Sequence, residues 1–413
     1  MTSSRFDYRK DVGKKIIFLC YSLNVGGAER RIAAISSKLA KKGCQVKILL
    51  LDNPRVAFQV DPQVEIVFLG TKDEKMDLSD NKANIAFYPC SNVNIGWLAK
   101  VKLTITKLFR KRQADVEELQ IYLYKKYAAR IHEYVQNYPD WIILPFMSFC
   151  NVSTMMALQN LPNHAVFVEC TSPDIEFSEE HPMNFLKKRY YPRADGGIFQ
   201  TSEEQDFYHY LHCHKWIIPN PLFGDYPSRF TGERRKEIVT FSRISKEKNL
   251  SMLIDASGII CKKYPDYIIS IYGDGAEKKH LIDYASEKGL SEKIKFHDFD
   301  IALHDKIKDC AMFVSTSDRE GISNSMLEAM AIGLPTICTD CPAGGARMII
   351  KPYENGLLIP CRDKDALVKV MTEVIEKPEL AEKMSQNSVK IREQLHIDRI
   401  VQMWMDALKE VAG

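Results

Sequence analysis

Asp318-Arg-Glu-Gly-Ile-Ser-Asn-Ser-Met-Leu-Glu-Ala-Met-Ala-Ile-Gly-Leu-Pro335 lies between two short apolar runs, residues 312–315 and 335–338. The runs have the length and composition of buried strands. Between them a Gly-Ile-Ser-Asn turn opens a stretch of helical period that carries Glu328. Strand, loop, helix and strand in that order make one crossover unit, and crossover units build a parallel sheet.

The same alternation runs along the whole chain. Strand candidates in the first half are residues 15–21, 46–51, 66–69, 141–146, 166–170, 197–200 and 216–218. The pattern restarts with residues 237–241, 267–272, 294–297, 312–315 and 335–338. Helical stretches separate the runs, as where Ile32, Ile35 and Leu39 share one face. The fold class is therefore α/β. The stretch Ile218-Pro-Asn-Pro-Leu-Phe-Gly-Asp-Tyr-Pro-Ser228 has no period and is rich in Pro and Gly, which places a hinge there. Two similar domains follow, residues 1–218 and 219–395, and a terminal segment 396–413. Apolar residues at Ile397, Ile400, Val401, Trp404 and Leu408 make that last segment a packed helix, expected to return to the first domain. Ligands of two such domains are expected in a cleft at the carboxyl ends of the strands.

With 413 residues, 45% hydrophobic and 27% charged, the chain has the composition of a folded protein of two or three domains. Lys plus Arg number 57 against 54 Asp plus Glu, a net charge of +3, which excludes a general nucleic-acid binder and makes any electrostatic function local. The eleven cysteines, odd in number and scattered through apolar runs, read as reduced thiols of a cytoplasmic protein. The apolar run after Lys14 and Lys15 is too short for a signal peptide core. No window approaches the ~20 apolar residues that span a bilayer.

Three stretches carry chemistry. Asn24-Val-Gly-Gly-Ala-Glu-Arg30 follows the first strand, and Gly26 and Gly27 would let backbone N–H groups approach an anion or sugar at a helix N-terminus; the alternative is a tight turn alone. Phe241-Ser-Arg-Ile-Ser-Lys-Glu-Lys-Asn249 puts Arg243 at a strand end and Lys248 five residues on, a fork and a point charge suited to a diphosphate, or else a solvated basic loop. Glu320 and Glu328 are eight residues apart, just over two helical turns, so both carboxylates can meet one ligand at different depths. Carboxylates accept hydrogen bonds from sugar and ribose hydroxyls, and the helix start between them suits phosphate.

Gly26-Gly27-Ala28-Glu29, Arg243 with Lys248, and Glu320 with Glu328 resemble, in order and spacing, the retaining glycosyltransferases of family 4. The resemblance runs over nearly the whole chain. Tyr191-Pro-Arg-Ala-Asp-Gly-Gly-Ile-Phe-Gln-Thr201, Ile218-Pro-Asn-Pro221, Cys341-Pro-Ala-Gly-Gly345 and Asn355-Gly-Leu-Leu-Ile-Pro360 further resemble the bacterial branch that extends polyprenyl-diphosphate-linked glycans. The resemblance implies a GT-B fold of two Rossmann-like domains facing each other across a cleft, the second holding the nucleotide sugar. It also implies the roles. Arg243 and Lys248 would hold the donor diphosphate, Glu320 the transferred sugar and Glu328 the ribose. Backbone around Gly321, Ile322, Ser323, Asn324 and Ser325 would reach phosphates and sugar. Gly26 and Gly27 would meet the donor from the first domain, and Gly273 and Phe299 would lie near the base. No cofactor or metal is implied, and the partners are a UDP-sugar donor and a lipid-linked saccharide acceptor.

The chain departs from the family at Ser242, where many relatives have Gly, and in Met147-Ser-Phe-Cys-Asn151, which supplies no His for the first-domain site. Glu169, at a strand end, is expected either to face the cleft or to anchor a loop. The segment 95–112 combines an apolar stripe, Trp97, Leu98, Val101, Ile105, Leu108 and Phe109, with six cations and no acid between Lys100 and Arg112. Such a basic amphipathic helix suits an anionic membrane, with Lys100, Lys107, Arg110 and Lys111 near headgroups, at ~1 kcal/mol per cation. The alternative is a core-facing helix with a solvated edge. The expected location is therefore cytoplasmic, peripheral at the inner face of the cell membrane. Asp298-Phe-Asp300 and Cys338-Thr-Asp-Cys341 lack the further ligands that a metal shell needs. Two competing readings are a GT-B nucleotide-sugar epimerase and a non-catalytic partner subunit of another transferase.

Overall fold

A computed structural model of the chain describes residues 13–24, 26–71, 85–91, 113–170, 182–300 and 302–412. They form two compact units: the first runs through Gln200 and adds Gln205–Ile218 and the chain from Ile397, and the second comprises Thr201–Glu204 and Pro219–His396. Each is a parallel sheet with helices in its crossovers.

In the first unit, β1 (Lys15–Cys20), β2 (Gln45–Leu50), β3 (Glu65–Thr71), β4 (Ile85–Cys90) and β5 (Ile142–Pro145) pair in the order β4-β3-β2-β1-β5. A further sheet of β6 (Val166–Val168), β7 (Gly196–Phe199) and β8 (His214–Ile217) joins it by bridges from Ile143 to Ala165 and from Phe146 to Val168. β1 is buried over five of its six residues, the signature of a strand covered on both faces. The final helix, Ile397–Ala412, belongs to this unit. Its Trp404 is fully buried, stacks on Phe146 at 5.8 Å, meets Phe18 at 6.3 Å, and takes the Arg31 guanidinium over its ring at 5.3 Å. Lys38 pairs with Asp398 at 2.9 Å, and Lys14 donates to the Leu408 carbonyl at 2.6 Å.

The second unit contains β9 (Arg235–Phe241), β10 (Ile268–Tyr272), β11 (Ile294–His297), β12 (Cys310–Ser315), β13 (Thr336–Thr339) and β14 (Leu357–Ile359), in the order β11-β10-β9-β12-β13-β14. That is the 3-2-1-4-5-6 order of a doubly wound dinucleotide-binding sheet, and it reverses between β9 and β12. Chain leaving β9 and chain leaving β12 must part in opposite directions there, so a crevice opens at their carboxyl ends. Ile238, Ile271, Met312, Val314, Leu253, Leu367 and Met371 form the core beneath it.

Twelve of the fourteen strands among the described residues lie where the sequence places them. The other two, β4 and β14, are both at sheet edges. β4 carries Pro89, which an edge tolerates because one side of the strand needs no partner; β14 has only three residues, too few for a period.

Replacing Trp404 by Ala is expected to lower the unfolding free energy by about 3–5 kcal/mol. Trp404→Phe should cost less than half of that, because it keeps a ring and removes a buried indole N–H that has no partner among the described residues. Denaturant titration of both variants checks the order.

Candidate functional site

Two loops meet at the strand-order reversal. One leaves β9 through Ser242 and Arg243 and forms a short 3-10 turn at Lys246–Lys248; the other leaves β12 through Thr316 and Ser317 to Glu320. They are sewn together. The Asp318 N–H donates to the Glu247 carbonyl at 2.8 Å, the Thr316 hydroxyl to the Lys248 carbonyl at 2.9 Å, and the Asn249 amide to Asp318 Oδ1 at 3.0 Å. The consequence is that the Lys248 ammonium pairs directly with Glu320 Oε2, both side chains mostly buried at 13% and 23% exposure. The Ser317 hydroxyl also donates to that oxygen, at 3.3 Å. Asp318 in turn receives both Nε and a terminal nitrogen of Arg362, at 3.1 and 2.9 Å.

Arg243 stands at the mouth of this arrangement. Its side chain is 74% exposed and tethered to Glu247 at 2.7 Å. Partial burial alone would raise the Glu247 carboxyl, but the Ser245 hydroxyl, its backbone amide and Arg243 outweigh it and hold it below its usual range. One loop thus carries an exposed guanidinium paired with Glu247 and a sheltered ammonium paired with Glu320, a combination that suits a ligand carrying both anionic oxygens and hydroxyls.

Glu320 is fixed from the far side as well. Its N–H donates to the Pro342 carbonyl at 3.0 Å, and its carbonyl accepts from the Ala343 N–H at 3.2 Å. At Gly345 a Cβ would stand 1.8 Å from the Gly321 carbonyl oxygen, so only glycine lets the two loops touch. Gly321 and Ile322 then lead into the helix Asn324–Ala331, whose N-cap Ser323 accepts from the Met326 N–H, as its Oγ approaches that of Ser325 at 3.0 Å. The first-turn N–H groups of Asn324 and Ser325 project from the helix end, where an anion is favoured. Asn220, 7% exposed, anchors this turn through contacts of 3.4 Å to the Ile322 carbonyl and Asn324 Oδ1. Glu328 lies in the same helix, and its Oε2 faces His304 Nε2 at 3.1 Å.

Gly273 follows β10 with φ of +140°, and a Cβ there would fall 2.0 Å from the Ser242 carbonyl. Its glycine therefore serves the packing of the Arg243 loop, whose Ile244 N–H donates to the Asp274 carbonyl at 2.8 Å. Phe299 is 81% exposed beyond β11. Gly26 and Gly27 open the helix Gly27–Lys41 of the first unit, with the Arg30 N–H donating to the Gly26 carbonyl at 3.1 Å.

Of the two expectations for Glu169, the structure fits the anchoring carboxylate. It is 1% exposed inside the first unit, where it pairs with the buried Lys187 at 3.2 Å and accepts from the Tyr191 hydroxyl at 2.5 Å and from Asn151 at 3.3 Å. A lysine and a tyrosine from the next helical segment draw this strand-end carboxylate inward, away from the alternative of facing a cleft. Lys100, Lys107, Arg110 and Lys111, with the basic segment 95–112, lie outside the described residues. Among the described residues no helix is long and apolar enough to cross a membrane.

Asp298 faces Lys278 and Asp300 faces Lys306, and each lysine holds its partner carboxyl below the usual range. Burial pushes the Cys338 and Cys341 thiols up, Cys341 to about 12, so both stay protonated near neutrality. The sequence reading missed His304, Asn249, Asp318 and Arg362 as site-building residues. None has a fixed spacing to its partner, since they meet through the sheet order.

Residues 227–391 match the family model described as glycosyl transferases group 1. A Haemophilus influenzae protein named an uncharacterized glycosyltransferase is 24% identical, with 96% of this chain and all of the relative aligned. A Campylobacter jejuni relative is 26% identical over 97% of this chain and its own full length; its name is N-acetylgalactosamine-N,N'-diacetylbacillosaminyl-diphospho-undecaprenol 4-alpha-N-acetylgalactosaminyltransferase. Among solved structures, that of TarM superposes with a TM-score of 0.69, covering 97% of this chain and 99% of that one at 14% identity, a likeness of fold. With two parallel α/β units, a group 1 match over most of the second, and relatives named glycosyltransferases aligned end to end, the chain has the GT-B fold and is similar to glycosyltransferases over its whole length, residues 227–391 matching group 1.

Proposed function

We propose that the protein moves a hexose or N-acetylhexosamine, with retention of configuration, from a UDP-sugar to a lipid-linked saccharide, working peripherally at the inner face of the cell membrane. The observation that carries this reading is the pairing of Lys248 with Glu320 at the switch point of the second unit, on the loop that also carries the exposed Arg243. The Campylobacter relative, whose name specifies a diphospho-undecaprenol acceptor, supports the lipid. The basic segment 95–112 supports contact with the membrane.

In this reading Arg243 and Lys248 bind the donor diphosphate, and Glu320, relieved of part of its pairing with Lys248, accepts hydrogen bonds from hydroxyls of the transferred sugar. Backbone from Gly321 to Ser325 supports the sugar and phosphates, and Glu328 holds the ribose. The bond between the anomeric carbon and the diphosphate breaks, its electron pair leaving on the phosphate oxygen. The acceptor hydroxyl oxygen bonds to the same face of that carbon, and its proton passes to the departing phosphate oxygen. Fixed cations stabilise the charge on the leaving group, an effect of ~3 kcal/mol per preorganised donor. Charge neutralisation rests on side chains in this scheme, so the reaction is metal-independent.

Several relatives of about half-length overlap are named as the GtfA subunit of a UDP-N-acetylglucosamine–peptide transferase, which favours one second reading, a chain active only with a partner protein.

Purified protein incubated with labelled UDP-, GDP- and ADP-sugars and membranes containing polyprenyl-diphosphate saccharides is expected to put label from one UDP-sugar into butanol-extractable lipid. Absence of label from every donor, with label restored by a second protein, would establish the partner-dependent reading instead. Arg243→Ala should lower kcat/KM by about a hundredfold or more while leaving the thermal unfolding midpoint within a few degrees, and Glu320→Gln, which deprives the sheltered Lys248 of its counter-charge, should lower kcat/KM as much and the midpoint further; near-normal turnover in both removes the site assignment. Excess EDTA should leave turnover within twofold.

A further inference from the structure

Glu328 is held by a histidine that no motif announces. His304 lies in the short helix Leu303–Ile307, pinned into the core by Leu303 at 7% and Ile307 at 0% exposure. Its ring packs between Tyr226, with centroids 5.2 Å apart, and Phe241 at the end of β9, 6.2 Å away and edge-on. Nε2 points at Glu328 Oε2 at 3.1 Å, and both side chains are largely sheltered, at 25% and 13% exposure. An ionised carboxylate only accepts, so Nε2 carries the proton in this contact whatever the state of Nδ1. Two aromatic neighbours fix the ring plane, and the ring then fixes one oxygen of the carboxylate.

We propose that His304 is a positioning residue for nucleotide recognition: it orients Glu328 so that the carboxylate presents to the hydroxyls of the donor ribose. This rests on the reading of Glu328 given above. Without the histidine, Glu328 gains side-chain freedom that binding must then remove, and it loses a hydrogen bond that keeps it aimed. His304 touches no reacting atom, so the effect belongs to donor binding and not to the chemical step.

The test measures binding of UDP and of its 2′,3′-dideoxy analogue to the full-length protein by calorimetry, with donor kinetics alongside. The unaltered protein should bind UDP about tenfold more tightly than the dideoxy analogue. His304→Ala should weaken UDP about tenfold, leave the dideoxy analogue unchanged, and raise the donor KM with kcat within twofold. His304→Gln, which keeps an N–H donor, should restore UDP binding to within about threefold. Equal weakening of both nucleotides would show a merely structural role, and discrimination preserved in His304→Ala would also overturn the proposal. Equal binding of both nucleotides by the unaltered protein would instead remove Glu328 from the ribose, so failure of the underlying reading is distinguished from failure of the inference.

Discussion

The pairing of Lys248 with Glu320 is the interaction around which the loops at the second unit's switch point are organised. It exists because β9 and β12 are neighbours, although their sequences lie some seventy residues apart. Once the sheet order sets the two strand ends side by side, three hydrogen bonds between the outgoing loops leave little freedom in where the ammonium and carboxylate stand. Each charge is mostly removed from water, and a sheltered charge is tolerated only with its counterpart in place. The pair therefore enforces the loop conformation that creates it.

A second belt of contacts keeps the Glu320 loop from relaxing. The loop at residues 341–345 exchanges backbone hydrogen bonds with Glu320, the Thr339 hydroxyl donates to the Ser317 carbonyl at 2.5 Å, and Thr201 donates to the Ala343 carbonyl at 2.6 Å. Glu320 is thus pinned through its main chain while its carboxylate stays partly open. Main-chain fixation combined with an open side chain is what preorganisation requires, since ligand arrival then costs little rearrangement. Arg243 has the opposite character: mostly exposed and held by one acid, Glu247, it suits meeting a charged ligand from solvent rather than shaping the site.

Most of this architecture was legible because periodicity reports burial. Strands covered on both faces appear as continuous apolar runs, and the second unit's strand set could be read before its order was known. The Glu-x7-Glu stretch and the Arg243 loop were legible for a related reason, since both lie immediately after such runs. What sequence could not reach were relations made only by folding. His304 stands 24 residues before Glu328 and finds it through the packing of a short helix on β9. Gly273 read as a base-side turn, and its strict need for glycine comes from the Ser242 carbonyl of a neighbouring loop. Edge strands β4 and β14 escaped because an edge weakens the very pattern that betrays a strand.

Glu169 shows why residue type and strand-end position are not enough to assign a site. Chemically its contact with Lys187 is the same as that of Glu320 with Lys248, a carboxylate and an ammonium brought together after a parallel strand. The two differ in surroundings. Lys187 is enclosed by Tyr191 and Tyr208, whose stacked rings lie 5.8 Å apart, and it donates to the Tyr208 hydroxyl at 2.7 Å. With 0% and 1% exposure, neither charge of that pair can be reached by a ligand without opening the unit's core, and its partners are internal. The Lys248–Glu320 pair keeps a face to solvent, so an incoming anion can replace the carboxylate at the ammonium and an incoming hydroxyl can replace the ammonium at the carboxylate. One pair is a fastening and the other an exchangeable contact, and the distinction lies entirely in how much of each charge the neighbouring side chains leave uncovered.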